Sequence, residues 1–341
     1  KILTGVLEIF QFYLPVGTKK QLLVGAENYL KHNRFDAIIA TGEPFVLFHY
    51  ASKLSSKYNT PWIADYRDPW SNNISIPKRG LLKYFYKLVE KKTLKSCSKI
   101  TTVSDYIAEK IHEVTSNDIT IIPNGYDPDV IDPIDKLTQT SQKLTFAHAG
   151  SLFNWHPYEV FLKTLASYLE ANPTQSLEVR FYGLNKVQEV KSIVKKHPIL
   201  SSSIRILPKL PNSQLLSELK SCNVMLLFNY YSFMGTKIYD YLAVKRHTLL
   251  CFQQEPEALR LKKKYYTIEE PKTLSNSLQK DLIEKCEAGS VAENVGDLKL
   301  ILSKLNQQFN STGNIPWKGK NTSNYSRERQ VQKLCEIVTN L

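Results

Sequence analysis

Short apolar runs alternate with stretches of helical periodicity along most of the chain. DAIIAT (36–41), PWIADYR (61–67), KITTVS (99–104) and ITIIP (119–123) are β-branched or aromatic and bounded by turn residues, which predicts strands. Helical patterns fall near 43–57, 81–96 and 104–114, the last with Ser104 placed as an N-cap. A second series follows: KLTFAHAG (143–150), LEVRFYG (177–183), IRIL (204–207), NVMLLFN (223–229) and HTLLCF (247–252). Helical stretches near 157–171, 185–196, 212–221, 236–245 and 272–287 separate them. Strand–helix alternation with short connections predicts an α/β fold of two Rossmann-like, doubly wound parallel-sheet domains. The polar stretch DPIDKLTQTSQK (132–143) interrupts the pattern and is read as the linker between them. The expected division is a first domain over 1–135, a second over 144–320, and a closing helical segment at 325–341 after the polar run 310–326. Two such halves joined by a linker put a cleft between them. In open sheets of this kind a ligand lies beyond the carboxyl ends of the strands, so the residues just after each strand carry the most information.

Charge changes this picture in one place. The 341 residues carry 45 Lys and Arg against 32 Asp and Glu, a formal charge of +13. Between Lys78 and Lys99 there are eight basic residues (Lys78, Arg79, Lys83, Lys87, Lys91, Lys92, Lys95, Lys99) and one acidic residue, Glu90. Leu81, Leu82, Phe85, Leu88 and Val89 fall on one helical face there, with Lys83, Lys87 and Lys91 on others. Two readings stand side by side: a surface helix packing its leucines on the core, and a helix docking on anionic lipid headgroups. Nucleic acid is the weaker third, because no base-reading motif accompanies the charge.

The remaining composition mostly excludes. No apolar run approaches the roughly 18–20 residues of a membrane span. The five scattered cysteines (Cys97, Cys222, Cys251, Cys286, Cys335) form no CxxC pair, which points to a reducing compartment and away from a zinc site. The chain opens on Lys1 with no signal-peptide pattern, and reads as a fragment or trimmed piece. HExxH, GxSxG and GxxxxGK[ST] motifs are absent, which argues against a metallohydrolase, a serine hydrolase of that kind and a P-loop NTPase. Asp127 and Asp129 form a D-x-D, but Pro128 between them reads as a turn rather than a metal site.

Several strand ends carry candidate chemistry. HAGSL (148–152) places Gly150 and Ser151 after a strand, and FYG places Gly183 after the next. GTKIYDYLA (235–243) puts Gly235, Thr236 and Lys237 at a helix start, where unpaired amides and the helix dipole favour an anion. Lys237 there suits a phosphate, and Asp240, one turn on, suits a ribose diol. An ordinary helix start with a solvated Asp240 is the plain alternative. ADYRDPW (64–70) concentrates Asp65, Tyr66, Arg67, Asp68 and Trp70 in one loop, either as a functional cluster or as a local Arg–Asp pair pinning the loop.

Taken in order, WIADYRDPW, KSCSKITTVSDYIAEKI, IIPNGYD, FAHAGSL, FYG and GTKIYDYLAVKRHTLL resemble the family 4 glycosyltransferases of the GT-B fold, in particular the bacterial surface-polysaccharide branch (lipopolysaccharide, capsule). NYSRERQVQKLCEIV resembles that fold's closing helix, which crosses back onto the first domain. The resemblance spans roughly 35–341. It implies a retaining, hexosyltransferase-like enzyme with no cofactor and no obligatory metal, moving a sugar from a nucleotide-sugar donor to a lipid-linked or surface-glycan acceptor. It implies a cytoplasmic protein, peripheral on the inner face of the membrane through Lys83, Lys87 and Lys91, with no nucleic-acid partner. Backbone near Gly150 and Ser151, with Lys237, would face the diphosphate. Gly183, Lys209 and Leu210 would frame the base, and Asp240 would hold the ribose. Arg67 and Asp68 would serve catalysis on the acceptor side. The family usually shows two glutamates eight positions apart, where this chain has Ser232 and Asp240. Asn154, Trp155 and His156 replace the usual basic residues after the HAGSL loop, with His156 read either as a substitute for them or as a structural histidine. The first domain lacks a recognisable opening strand and glycine loop, about two βα units. A sugar-nucleotide epimerase and a non-catalytic nucleotide-sugar or lipid-binding subunit are the alternatives; neither needs an acceptor.

Overall fold

The computed structural model describes residues 9–14, 16–73 and 80–341. Lys78 and Arg79 of the basic segment lie outside the described residues. The chain forms two units, the first from the chain up to Asn124 together with Gln330–Leu341, the second Gly125–Arg329. The last helix, Arg327–Thr339, therefore returns the chain to the first unit.

The first unit holds a four-stranded parallel sheet in the order β1 (Ile38–Gly42), β2 (Trp62–Tyr66), β3 (Lys99–Thr102), β4 (Ile119–Ile121). Every residue of β2 is buried, as expected of a central parallel strand covered on both faces. Ser104 caps helix Asp105–His112 through its hydroxyl, which accepts from Ile107 N at 3.3 Å.

The basic helix, Leu81–Leu94, departs from the expected packing. Its buried residues are Tyr86, Glu90, Thr93 and Leu94, while Leu81 is 88% exposed and Leu82, Tyr84 and Leu88 are exposed with it. The reason is Glu90. Its carboxylate accepts from the buried Tyr66 hydroxyl at 2.9 Å and from Ser71 N at 3.0 Å, so the helix is rotated to bring its one acid inward. Phe85, Leu88 and Val89 instead line a groove of ≈ 680 Å³ with Phe12, Tyr13 and lysines 53, 57 and 92.

The second unit holds a six-stranded parallel sheet in the order β10 (Gly289–Ala292), β9 (His247–Cys251), β8 (Val224–Phe228), β5 (Leu144–Ala149), β6 (Leu177–Tyr182), β7 (Ile204–Leu207). Alternation along β5 sorts its side chains: Leu144 and Phe146 enter one core with Phe161, Leu165 and Leu298, while Ala147 and Ala149 enter the other with Ile238, Leu242 and Ile283. The segment 132–143, expected as a free linker, is tied to this unit. Asp135 accepts from Lys220 at 3.0 Å and from Lys245 at 2.9 Å, the Leu137 carbonyl accepts from Arg246 at 3.0 Å, and Gln139 accepts from Asn223 at 2.5 Å. The polarity that reads as a linker is a set of hydrogen-bonding groups for a strap.

Candidate functional site

Strand order creates the site. β5 has β6 on one side and β8 on the other, so the chain's winding reverses across the β5–β8 pair. At such a switch point the loops leaving the two strand ends diverge and leave a crevice. A cavity of ≈ 630 Å³ occupies that place, and Gly150, Ser151, Gly183, Lys209, Leu210, Lys237 and Asp240 all line it. Gly235 and Thr236 precede Lys237 but stand outside the lining.

Local geometry explains the glycines. Gly150 has φ +88°, and a Cβ there would come 2.8 Å from both Cε and Nζ of Lys237. Its N–H already donates to the Tyr182 carbonyl at 2.7 Å, so the residue supplies room for the lysine rather than a free amide. Gly183, at φ +62°, brings the β6 end loop against Lys209, whose Cβ would lie 3.2 Å from an added Cβ. Leu152 is held from both sides by Asn185, which accepts from its N–H at 2.8 Å and donates to its carbonyl at 3.1 Å. The Tyr241 hydroxyl accepts from Ala149 N at 2.9 Å and fixes the end of β5.

Electrostatics set the two ionisable groups apart from ordinary surface residues. Burial lowers Lys237 to about 8, and among the described residues its ammonium donates to the Ser151 carbonyl alone, at 3.5 Å. Burial raises Asp240 to about 6, opposed by the nearby Arg327 guanidinium. Asp240 is thus half-desolvated in a cavity wall, not solvated at a helix start. Leu210, just after β7, and Leu215, Leu216 and Leu219 of helix Asn212–Ser221 give the cavity an apolar wall, and Phe153, after β5, with Tyr230, after β8, adds an aromatic one. Sequence reasoning missed those two aromatics. Their signal was their position, each a few residues past a strand end.

His156 does not take the place of a basic residue. It is buried among Phe153, Trp155, Phe228 and Tyr230, with its basicity pushed well down by desolvation first, and its Nδ1 accepts from Phe153 N at 3.2 Å. Ser232 is 0% exposed and contributes nothing to the cavity wall. Asp127 of the D-x-D caps its own turn by accepting from Asp129 N at 3.1 Å, and pairs with Arg327 at 3.0 Å.

In the first unit, Asp65 ties three strands together. Its carboxylate accepts from Thr41 Oγ1 at 3.1 Å, Thr101 Oγ1 at 2.9 Å and Arg67 Nε at 3.0 Å. Arg67 also donates to Asn124 at 3.3 Å. The loop's ion pair is therefore Arg67 with Asp65, which leaves Asp68 half-buried with no hydrogen bond or ion pair among the described residues. Burial and the neighbouring Glu43 charge raise the Asp68 carboxyl above its ordinary value. Glu43, just past β1, is the acid that sequence reasoning did not single out.

Two parallel-sheet units, a nucleotide-sized cavity at the switch point of the second and a returning C-terminal helix define the GT-B glycosyltransferase fold. Residues 6–130 match the family described as Glycosyltransferase Family 4. No curated protein matches it in sequence. Among solved structures, TarM is 15% identical over 93% of this chain with a TM-score of 0.57, and the chain spans 58% of the length of TarM. HepE from Anabaena, solved with UDP, is 14% identical over 96% of this chain and 85% of its own, with a TM-score of 0.57. The lipopolysaccharide outer core galactosyltransferase WaaB, in its apo form, is 10% identical over 96% of this chain and 83% of its own, with a TM-score of 0.57. At these identities the likeness is one of fold. No helix among the described residues is long and apolar enough to cross a membrane.

Proposed function

We propose that this chain transfers a hexosyl group from a nucleotide-sugar donor to a lipid-linked or surface-glycan acceptor, with retained anomeric configuration. The observation that carries the reading is the β5–β8 cavity with Lys237 and Asp240 in its wall. HepE, of the same fold, was solved with UDP, which supports a nucleotide in that cavity. The base lies against Leu210, Leu215 and Leu216, the ribose diol donates to Asp240, and the diphosphate meets the Lys237 ammonium and the Ser151 hydroxyl. Breaking the glycosyl–phosphate bond builds negative charge on the leaving diphosphate. A fixed, desolvated ammonium opposes that charge without reorganising, usually the largest catalytic contribution. No metal is invoked in this scheme. On the first unit, Asp68 with its raised pKa handles the acceptor hydroxyl proton, and Arg67, braced by Asp65, orients the acceptor.

The membrane context rests on helix Leu81–Leu94. Its exposed Leu81, Leu82, Tyr84 and Leu88 stand beside exposed Lys83 and Lys91 and half-buried Lys87, an apolar and cationic face suited to an anionic bilayer. The test is incubation of the protein with a panel of nucleotide sugars, with and without membrane extract. Nucleoside diphosphate released only with extract supports transfer. Release without extract points to an epimerase or hydrolase, and binding with no turnover to a non-catalytic subunit.

A further inference from the structure

We infer that the donor sugar is uncharged and presents a methyl-bearing apolar edge, either the C6 methyl of a 6-deoxyhexose or the acetamido methyl of an N-acetylhexosamine. The inference rests on the donor cavity proposed above and adds what its far end selects. With the base against the leucine wall and the diphosphate at Lys237, the remaining part of the cavity, walled by Phe153 and Tyr230 beyond the ends of β5 and β8, receives the sugar. The charged residues of the cavity wall are Lys209, Lys237 and Asp240, and each is assigned to the nucleotide. The sugar end is therefore aromatic.

That end is also rigid. Phe153 stacks on Trp155 at 4.5 Å between centroids and 8° between planes, and meets Tyr230 edge-on at 5.6 Å. The loop is closed by His156 N donating to the Phe153 carbonyl at 3.0 Å and by the Leu152–Asn185 pair of bonds. Tyr230 is held by its own N–H donating to Gln279 at 2.9 Å, and by the Tyr266 hydroxyl donating to its carbonyl at 2.7 Å. A fixed π-face rewards C–H-rich surface, since apolar area on an aromatic wall is gained without ordering cost. It penalises a carboxylate, which would lose water and gain no cation. Ser232, fully buried and outside the cavity lining, offers no acidic group to bind sugar hydroxyls.

The test is isothermal titration in matched pairs: UDP-glucose against UDP-N-acetylglucosamine, GDP-mannose against its 6-deoxy counterpart GDP-D-rhamnose, and UDP-glucuronate against UDP-glucose, with UDP and GDP alone as references. In at least one of the first two pairs the methyl-bearing member binds about tenfold tighter than its plain partner, and which pair does so identifies the methyl. The glucuronate binds more weakly than glucose by a similar factor. Phe153→Ala abolishes the preference while changing UDP or GDP affinity less than about twofold, which also shows that the variant is folded; Phe153→Leu retains part of it. Equal affinities within both methyl pairs, or a preference that survives Phe153→Ala, overturns this inference and leaves the nucleotide site intact. Failure of UDP and GDP alone to bind overturns the donor-site reading and this inference together.

Discussion

Lys237 and Gly150 are a single device. The lysine can lie against the end of β5 only because position 150 has no side chain and tolerates φ +88°. Gly150→Ala should therefore push the ammonium out of place and strain the loop, costing roughly 1–2 kcal/mol of stability together with donor affinity; unchanged affinity by titration would separate the two residues. The pKa shifts set a pH window. Asp240 gains its charge as pH rises through about 6, and Lys237 loses its charge as pH rises through about 8. Nucleotide-sugar affinity should peak between those values, rising on the acid side as the carboxylate becomes an acceptor and falling on the alkaline side as the ammonium disappears. A flat profile from pH 5 to 9 would remove both groups from the site. Gly150 and Ser151 were legible in the sequence because they lie just past a strand, and Lys237 and Asp240 because they occupy the first turn of a helix. Phe153, Tyr230 and Glu43 also lie past strand ends and were not singled out, because only the strand order within each unit shows what each of them neighbours. The Gly150 N–H is taken by the Tyr182 carbonyl, so of the backbone near Gly150 and Ser151 that amide is not a donor to a ligand.

At the scale of elements, helix Leu81–Leu94 shows how one buried acid overrides an apolar stripe. Periodicity left the apolar stripe either packed on the core or docked on lipid; the Glu90 bonds to Tyr66 and Ser71 turn the leucines outward and at the same time brace the loop that carries Arg67 and Asp68. Glu90→Ala should cost about 3 kcal/mol, because it orphans a buried hydroxyl and a buried N–H that had bonded to a charged group. Glu90→Gln should cost less than half as much. Denaturant unfolding of the full chain reads both, and an alanine cost below about 1 kcal/mol would show that something else sets the rotation. Other elements escaped the sequence for different reasons. Helix Pro256–Tyr265 buries only Ala258, so it has no apolar stripe to find. Helix Val295–Thr312 does have one, Leu298, Leu302 and Leu305, with Asn294 as its cap, yet the sequence reading did not name it. β10 is four residues long, and Gly289 lies so close to Thr248 that a side chain would collide with the β9 backbone, a close approach that reads in sequence as a loop glycine.

For the whole molecule, the fold class was legible because alternating apolar runs and helical patterns admit few other arrangements, while the extent of the second unit was not. A polar stretch looks the same in sequence whether it is free or bonded, and 132–143 is bonded through Asp135, Leu137 and Gln139. The exposed basic helix makes a prediction at this scale. Reversing Lys83, Lys87 and Lys91 to Glu should weaken sedimentation with anionic vesicles and leave nucleotide binding intact. Wild-type vesicle binding should also fall with salt, since surface charge acts within a Debye length of about 8 Å at physiological ionic strength. Vesicle binding unchanged by the reversal at low salt would remove the membrane from the proposal. The central claim, that the β5–β8 cavity holds a nucleotide diphosphate, is tested most directly by titrating UDP or GDP, whichever the protein binds, and the corresponding nucleoside into wild type, Lys237→Ala and Asp240→Asn. Hydrogen bonds to charged groups are worth roughly 1.5–3 kcal/mol, so Lys237→Ala should weaken the diphosphate about tenfold to hundredfold and barely change the nucleoside. Asp240→Asn should weaken both ligands; nucleoside and diphosphate affinities that respond to neither substitution would contradict the account.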